Sequence, residues 1–140
     1  MKGRDKMNIV MKPIGFIKSP FKEVKEIPKQ SVFAVDKKAT IEILPQYSEG
    51  LEGIKENSYG VILFYFHKSK EGSLRLVSHK TREMTGVFST RSPKRPNGIG
   101  LSIVKFTKIE ENKLEFQGVD MIDGTPVLDI KPYSSELNPK

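Results

Sequence analysis

At 140 residues the chain fits one domain with a single hydrophobic core and is too short for two. Lys and Arg number 24 against 17 Asp and Glu, a formal net charge of +7, and a surplus of that sign attracts phosphate chains and other polyanions. The absence of cysteine excludes a disulfide framework, a thiolate zinc cluster, a cysteine-ligated iron–sulfur centre and a cysteine nucleophile, leaving catalysis to oxygen, nitrogen or a bound cofactor.

The longest apolar run, Val61 to Phe66, falls far short of the roughly 20 residues needed to cross a bilayer. The charged start Met1 to Met7 lacks the apolar stretch of a secretory signal, so the cytoplasm is the default. Residues 1–8 read as a flexible leader, 9–134 as the folded domain and 135–140 as a tail.

In chain order, Ile9 to Ile17 reads as a first strand, with Pro13 and Gly15 placing it at an edge or bend. Ala39 to Leu44 alternates, putting Ile41 and Ile43 in the core. A short helix is expected around Ser48 to Glu56, with Leu51 and Ile54 on its buried side. Tyr59 to Phe66 is β-branched and aromatic without alternation, the pattern of a strand buried on both faces. Leu74 to Ser78 and Gly86 to Thr90 follow as short strands. In Ile99 to Ile109 the apolar set moves from Leu101 and Ile103 to Val104 and Phe106, a change of parity that a β-bulge produces. Lys113 to Val119 alternates through Leu114 and Phe116 after a hairpin loop at Glu110-Glu111-Asn112, and Pro126 to Ile130 is the last strand. The fold class is mostly β: a small single β-barrel with at most one or two short helices.

The stretch from Gly86 to Ser102 is the most unusual. Between Arg91 and Gly100 it packs three cations, two prolines and two glycines into ten residues. Prolines reduce the entropy lost on clamping a ligand, glycines admit a ligand to the backbone, and arginine offers a planar fork to carboxylate or phosphate. A solvated basic turn is the plain alternative. The turn Asp123-Gly124-Thr125-Pro126 either holds two strands together or lines a polar pocket at the barrel mouth. Two histidines, His67 and His79, are too few to make a metal site expected. Gly98-Ile99-Gly100 lacks the preceding strand, following helix and third glycine of a Rossmann loop, and no P-loop occurs, so neither a Rossmann dinucleotide site nor an NTPase is expected.

Ile14-Gly15-Phe16-Ile17-Lys18-Ser19-Pro20-Phe21-Lys22, Pro28-Lys29-Gln30, His67-Lys68, Thr90-Arg91-Ser92-Pro93-Lys94-Arg95-Pro96-Asn97 and Asp123-Gly124-Thr125-Pro126-Val127-Leu128-Asp129-Ile130-Lys131-Pro132-Tyr133 occur in the order and spacing of the TsaA-like, or TrmO, family, which the chain resembles from about Ile9 to Tyr133. The resemblance implies a homodimeric β-barrel methyltransferase that binds S-adenosylmethionine outside any Rossmann fold and methylates N6 of threonylcarbamoyladenosine at tRNA position 37, beside the anticodon. It further implies cofactor contacts from Pro28, Lys29, Gln30, His67, Lys68, Arg91, Leu101, Asp123, Gly124, Thr125 and Pro126. The family usually has proline where this chain has Gly98. Lys94 and Arg95 are the candidates for RNA phosphate. Asp123, the matched carboxylate nearest the expected methyl donor, is the candidate general base; its other role is to hold the turn. No metal and no membrane enter this scheme. The same barrel methylating another acceptor, or a non-catalytic RNA-binding barrel, remain the alternatives.

Overall fold

The structure, a computed structural model, describes residues 7–23, 37–69, 72–134 and 136. Its strands are β1 (Gly15–Lys18), β2 (Lys38–Ile43), β3 (Tyr59–Tyr65), β4 (Arg75–Val77), β5 (Met84–Gly86), β6 (Ile99–Glu110), β7 (Lys113–Gln117) and β8 (Pro126–Pro132). Six of them close a barrel in the order β1-β2-β7-β6-β3-β8, and β4 and β5 form a separate hairpin. Every pairing in the barrel is antiparallel.

Alternation places the core. Ile41 and Ile43 of β2, Ile62 and Phe64 of β3, Val104 and Phe106 of β6, Leu114 and Phe116 of β7, and Val127 of β8 all point inward and are buried. Burying each such side chain stabilises the fold by about 1.5–3 kcal/mol relative to exposure. Two regular strands are shorter than expected: Ile9 to Ile14 lies outside β1, and Lys113 to Val119 contributes only Lys113–Gln117. β1 is not an edge, because it pairs with β2 on one side and β8 on the other.

Three expectations change. In β6 the inward set is Gly100, Ser102, Val104 and Phe106, while Leu101 and Ile103 are 43% and 42% exposed. The parity therefore does not shift at Ile103; the register irregularity lies further on, between Phe106 and Lys108 against β7. β3 pairs along both edges, with β6 and β8, but only one of its faces is fully buried within this chain, and Tyr59 and Tyr65 stay exposed. Residues 87–89 form a 3-10 turn rather than a strand. There the Ser89 hydroxyl donates to the Gly86 carbonyl at 2.8 Å and the Thr90 hydroxyl to that of Val87 at 2.8 Å, local bonds that compete with sheet pairing. The expected short helix is a 3-10 segment, Pro45–Leu51, which begins earlier because Pro45 sits at its first turn; Leu51 is its buried residue.

Candidate functional site

One end of the barrel carries the turn 123–126 and His67. The chain leaving β7 crosses this end through Val119, Met121 and Ile122, all buried, and reaches the turn before β8. That turn is sewn to the end of β1: Asp123 N–H donates to Phe21 O at 2.6 Å, Gly124 N–H to Ile17 O at 2.8 Å, and Ile17 N–H to Thr125 O at 2.9 Å. The Thr125 hydroxyl, buried, closes the turn on Ile122 O at 2.7 Å. Gly124 has φ 84°, a conformation that glycine adopts without strain.

His67 stands over this turn. A methyl group at Gly124 would lie 3.9 Å from His67 Nε2. Burial, and next the charge of Lys68, lower the His67 pKa, so its ring is neutral at pH 7 and offers both a donor and an acceptor. Lys68 beside it is exposed. The backbone of this strand end is fixed by Phe66 N–H donating to Gly98 O at 2.8 Å, which ties it to the basic loop. At Gly98, where the family usually has proline, a Cβ would press on the Tyr65 ring at 3.3 Å.

The basic loop is braced from within. Arg95 Nη1 donates to the carbonyls of Thr90 at 2.9 Å and Ser92 at 3.1 Å, and Ser92 Oγ accepts from Lys94 N–H at 3.1 Å. Gly72 lies so close to the Lys94–Arg95 backbone that a Cβ would overlap it at 1.9 Å. The loop therefore holds its shape through Arg95 and presents Arg91 and Lys94, both exposed.

Asp123 is engaged on both oxygens. Oδ1 accepts from Ser19 N–H at 3.0 Å and Oδ2 pairs with Lys22 Nζ at 3.1 Å. The Ser19 amide first, and then Lys22, hold its carboxyl below the ordinary value. This is the turn-holding arrangement, and it lowers the basicity wanted of a proton acceptor. Asp123 also borders a surface cleft of ≈ 580 Å³ that includes Lys18, Lys22 and Lys38.

A second carboxylate lies three residues upstream. Asp120 is half-buried, and that burial raises its pKa from 3.8 to about 6, against the smaller lowering effects of Ser102, of its own backbone amide and of the Arg91 charge. Asp120 Oδ1 and the Ser102 hydroxyl are both buried without a hydrogen-bond partner. The Ser102 hydroxyl lies near enough to the carboxylate to favour its charged form. Asp120 is hidden in the sequence because the Asp123-Gly124 turn already accounts for the local polarity. The available signal was a lone acid inside the apolar run Val119, Met121, Ile122.

Leu101 lies on the outer face of β6, opposite Leu63 of β3, rather than in the barrel. Pro126 opens β8 opposite Phe16. Pro28, Lys29 and Gln30 lie outside the described residues. Among the described residues, no group of three metal-ligating His, Asp or Glu side chains occurs, and no helix is long and apolar enough to cross a membrane.

The residues at hand are thus an arginine, a neutral imidazole, a glycine turn, and a carboxylate and a hydroxyl that each keep a buried oxygen without a partner. This donor set fits S-adenosylmethionine, which carries a carboxylate, cationic centres and a nucleoside: Arg91 suits the carboxylate, the buried acceptors suit a cation or N–H group, and the glycine turn admits a flat ring to the backbone.

The fold is a small closed six-stranded β-barrel, outside the Rossmann class. Residues 16–138 match the tRNA-methyltransferase O N-terminal domain, and the chain belongs to that family. It is 41% identical over 130 residues to an S-adenosyl-L-methionine-binding protein of Archaeoglobus fulgidus, covering 93% of both. It is 40% identical over 140 residues to the human tRNA (adenine(37)-N6)-methyltransferase, covering 94% of this chain and 31% of that one. The crystal structure of TrmO from Pseudomonas aeruginosa superposes with a TM-score of 0.78 at 40% identity, over 94% of this chain and 58% of that chain.

Proposed function

We propose that this protein is an S-adenosylmethionine-dependent tRNA methyltransferase that acts on N6 of threonylcarbamoyladenosine at position 37. The observation that supports the reading is that His67 stands over the Gly124 turn, and Arg91 and Ser102 act on Asp120 three residues before Asp123, in a chain of the TrmO family. The cofactor supplies a methyl group already activated on a sulfonium. The protein's own task is then to hold donor and acceptor at near-attack distance, to exclude water and to receive a proton.

In this reading Arg91 takes the cofactor carboxylate, while His67, Lys68 and the Gly124 turn face its nucleoside. Thr125 and Asp123 keep the turn in place, and Pro126 fixes where β8 begins. Pro28, Lys29, Gln30 and Leu101 complete the set proposed from the family pattern. Lys94 is the exposed cation offered to RNA phosphate; Arg95 shapes the loop that carries it. The anticodon loop is single-stranded, so its base reaches the mouth without opening a duplex. The work is cytoplasmic, where tRNA is modified.

The reading includes a homodimer. Register alignment across the outer face of β3 and β6 sets Tyr65 beside Ile99, Leu63 beside Leu101 and Val61 beside Ile103, an apolar stripe whose members Tyr65, Ile99, Leu101 and Ile103 are 46%, 38%, 43% and 42% exposed. Contiguous apolar surface of this kind marks an interface, and a second copy seated there would bring Leu101 into a shared cofactor site.

Calorimetry with S-adenosylmethionine tests the core of the proposal. Saturable binding that weakens at least tenfold in Arg91→Ala is expected. No heat of binding at millimolar cofactor would sink it.

A further inference from the structure

Asp120 and Ser102 form a buried polar pair that nothing else in the fold explains. Ser102 points into the barrel from β6 and is 2% exposed, with its hydroxyl unpartnered. Around it the barrel is otherwise lined by apolar residues, Ile62 and Phe64 from β3 and Val104 and Phe106 from β6. Asp120 comes from the crossing segment above, and its Oδ1 is likewise buried without a partner. A buried polar atom without a partner is expensive, and more so when charged, so a fold that keeps two of them near each other calls for a reason. The charged and polar groups that face Asp120 are the Arg91 guanidinium on the basic loop and the Ser102 hydroxyl. They hold the carboxylate basic but ionisable at neutral pH: burial raises its pKa to about 6, and the two neighbours stop it from rising further. A catalytic base is best poised near the working pH.

We propose that Asp120 is the proton acceptor of the methyl-transfer reaction, and that Ser102 positions its carboxylate. The inference rests on the methyltransferase reading of the same mouth. In the step, the acceptor nitrogen bonds to the methyl carbon as the carbon–sulfur bond breaks, its electron pair staying on sulfur. The proton displaced from nitrogen passes to the Asp120 carboxylate. The cationic sulfonium becomes a neutral thioether and the carboxylate becomes a carboxylic acid, so charge and atoms balance. Asp123 is unsuited to this role because both of its oxygens are already occupied, by Ser19 N–H and by Lys22.

The test uses Asp120→Asn and Ser102→Ala in the full chain. Without cofactor, carbon-13 NMR of the aspartate carboxyls should show Asp120 titrating well above the other aspartates, and higher still in Ser102→Ala. Thermal melts should show Asp120→Asn more stable than the parent at pH 8 and equal to it at pH 4. With S-adenosylmethionine and tRNA, Asp120→Asn should lose at least 100-fold in kcat while its affinities for cofactor and tRNA move less than threefold. The parent's kcat should rise with pH along the Asp120 titration, and this rise should shift to higher pH in Ser102→Ala, which also serves if Asp120→Asn fails to fold. An active Asp120→Asn, an Asp120 that titrates with the other aspartates, or a loss confined to cofactor affinity would overturn the inference and leave the functional reading standing. A parent chain that binds the cofactor and methylates no tRNA would overturn both.

Discussion

Asp120 and Asp123 show how three residues of separation put the same side chain to opposite uses. At Asp123 the Ser19 amide and Lys22 favour the charged form, so its contribution to stability is complete above the ordinary carboxylate range and is lost as pH falls through its lowered folded value. Asp123→Asn should therefore cost about 1 kcal/mol at pH 7, a hydrogen bond to a charged group discounted for its exposure. Melting curves from pH 7 to pH 2 should show the difference from the parent closing in acid; a constant gap would contradict it. At Asp120 folding favours the neutral form, so stability is unaffected below the unfolded value, falls as pH rises from about 4 to 6, and above that is lower by on the order of 3 kcal/mol. The turn around Asp123 was legible in the sequence, because Asp-Gly-Thr-Pro has a local meaning. Asp120 was not, because its environment is assembled from β6 and the basic loop, residues distant in the chain.

Among the elements, β6 shows where a periodic reading holds and where it fails. Val104 and Phe106 are core residues, as their pattern implies. Leu101 and Ile103 are equally apolar but face outward, and a strand that is apolar on both sides looks in the sequence like one with a shifted register. The inward positions at this end are small because bulky rings already fill the space: Phe64 and Phe66 pack edge to face at 5.2 Å between centroids, and a Cβ at Gly100 would come within 2.4 Å of the Phe64 ring. Gly100→Ala should accordingly destabilise the fold by ~1–3 kcal/mol. Adding Phe64→Leu should recover part of that loss, so chemical denaturation of the two single variants and the double should give non-additive costs. Additive costs would mean that the two residues do not share the space. The 3-10 turn at Val87–Ser89 looks like strand in the sequence because Val87 and Phe88 are strand formers; the hydroxyls of Ser89 and Thr90 decide otherwise.

At the scale of the molecule, barrel closure was legible because many short strands with little helix need a way to lose their edges. The strand order was not, since the β3–β8 and β1–β8 pairings join distant parts of the chain. The +7 charge, undirected in composition, is concentrated in part of the chain: five of the 24 basic residues fall between Lys80 and Arg95 against the single acid Glu83. The outer stripe of β3 and β6 should make the protein a dimer. Light scattering should return twice the chain mass for the parent, and Ile103→Glu, which introduces a charge into the stripe, should return a folded monomer with little activity; a monomeric parent would refute the shared site. The central claim is tested most directly by incubating the purified protein with S-adenosylmethionine and tRNA that carries threonylcarbamoyladenosine, then identifying the nucleosides by mass spectrometry. N6-methylated threonylcarbamoyladenosine at position 37 is the expected product. Unmethylated threonylcarbamoyladenosine from a protein that has bound its cofactor would contradict it.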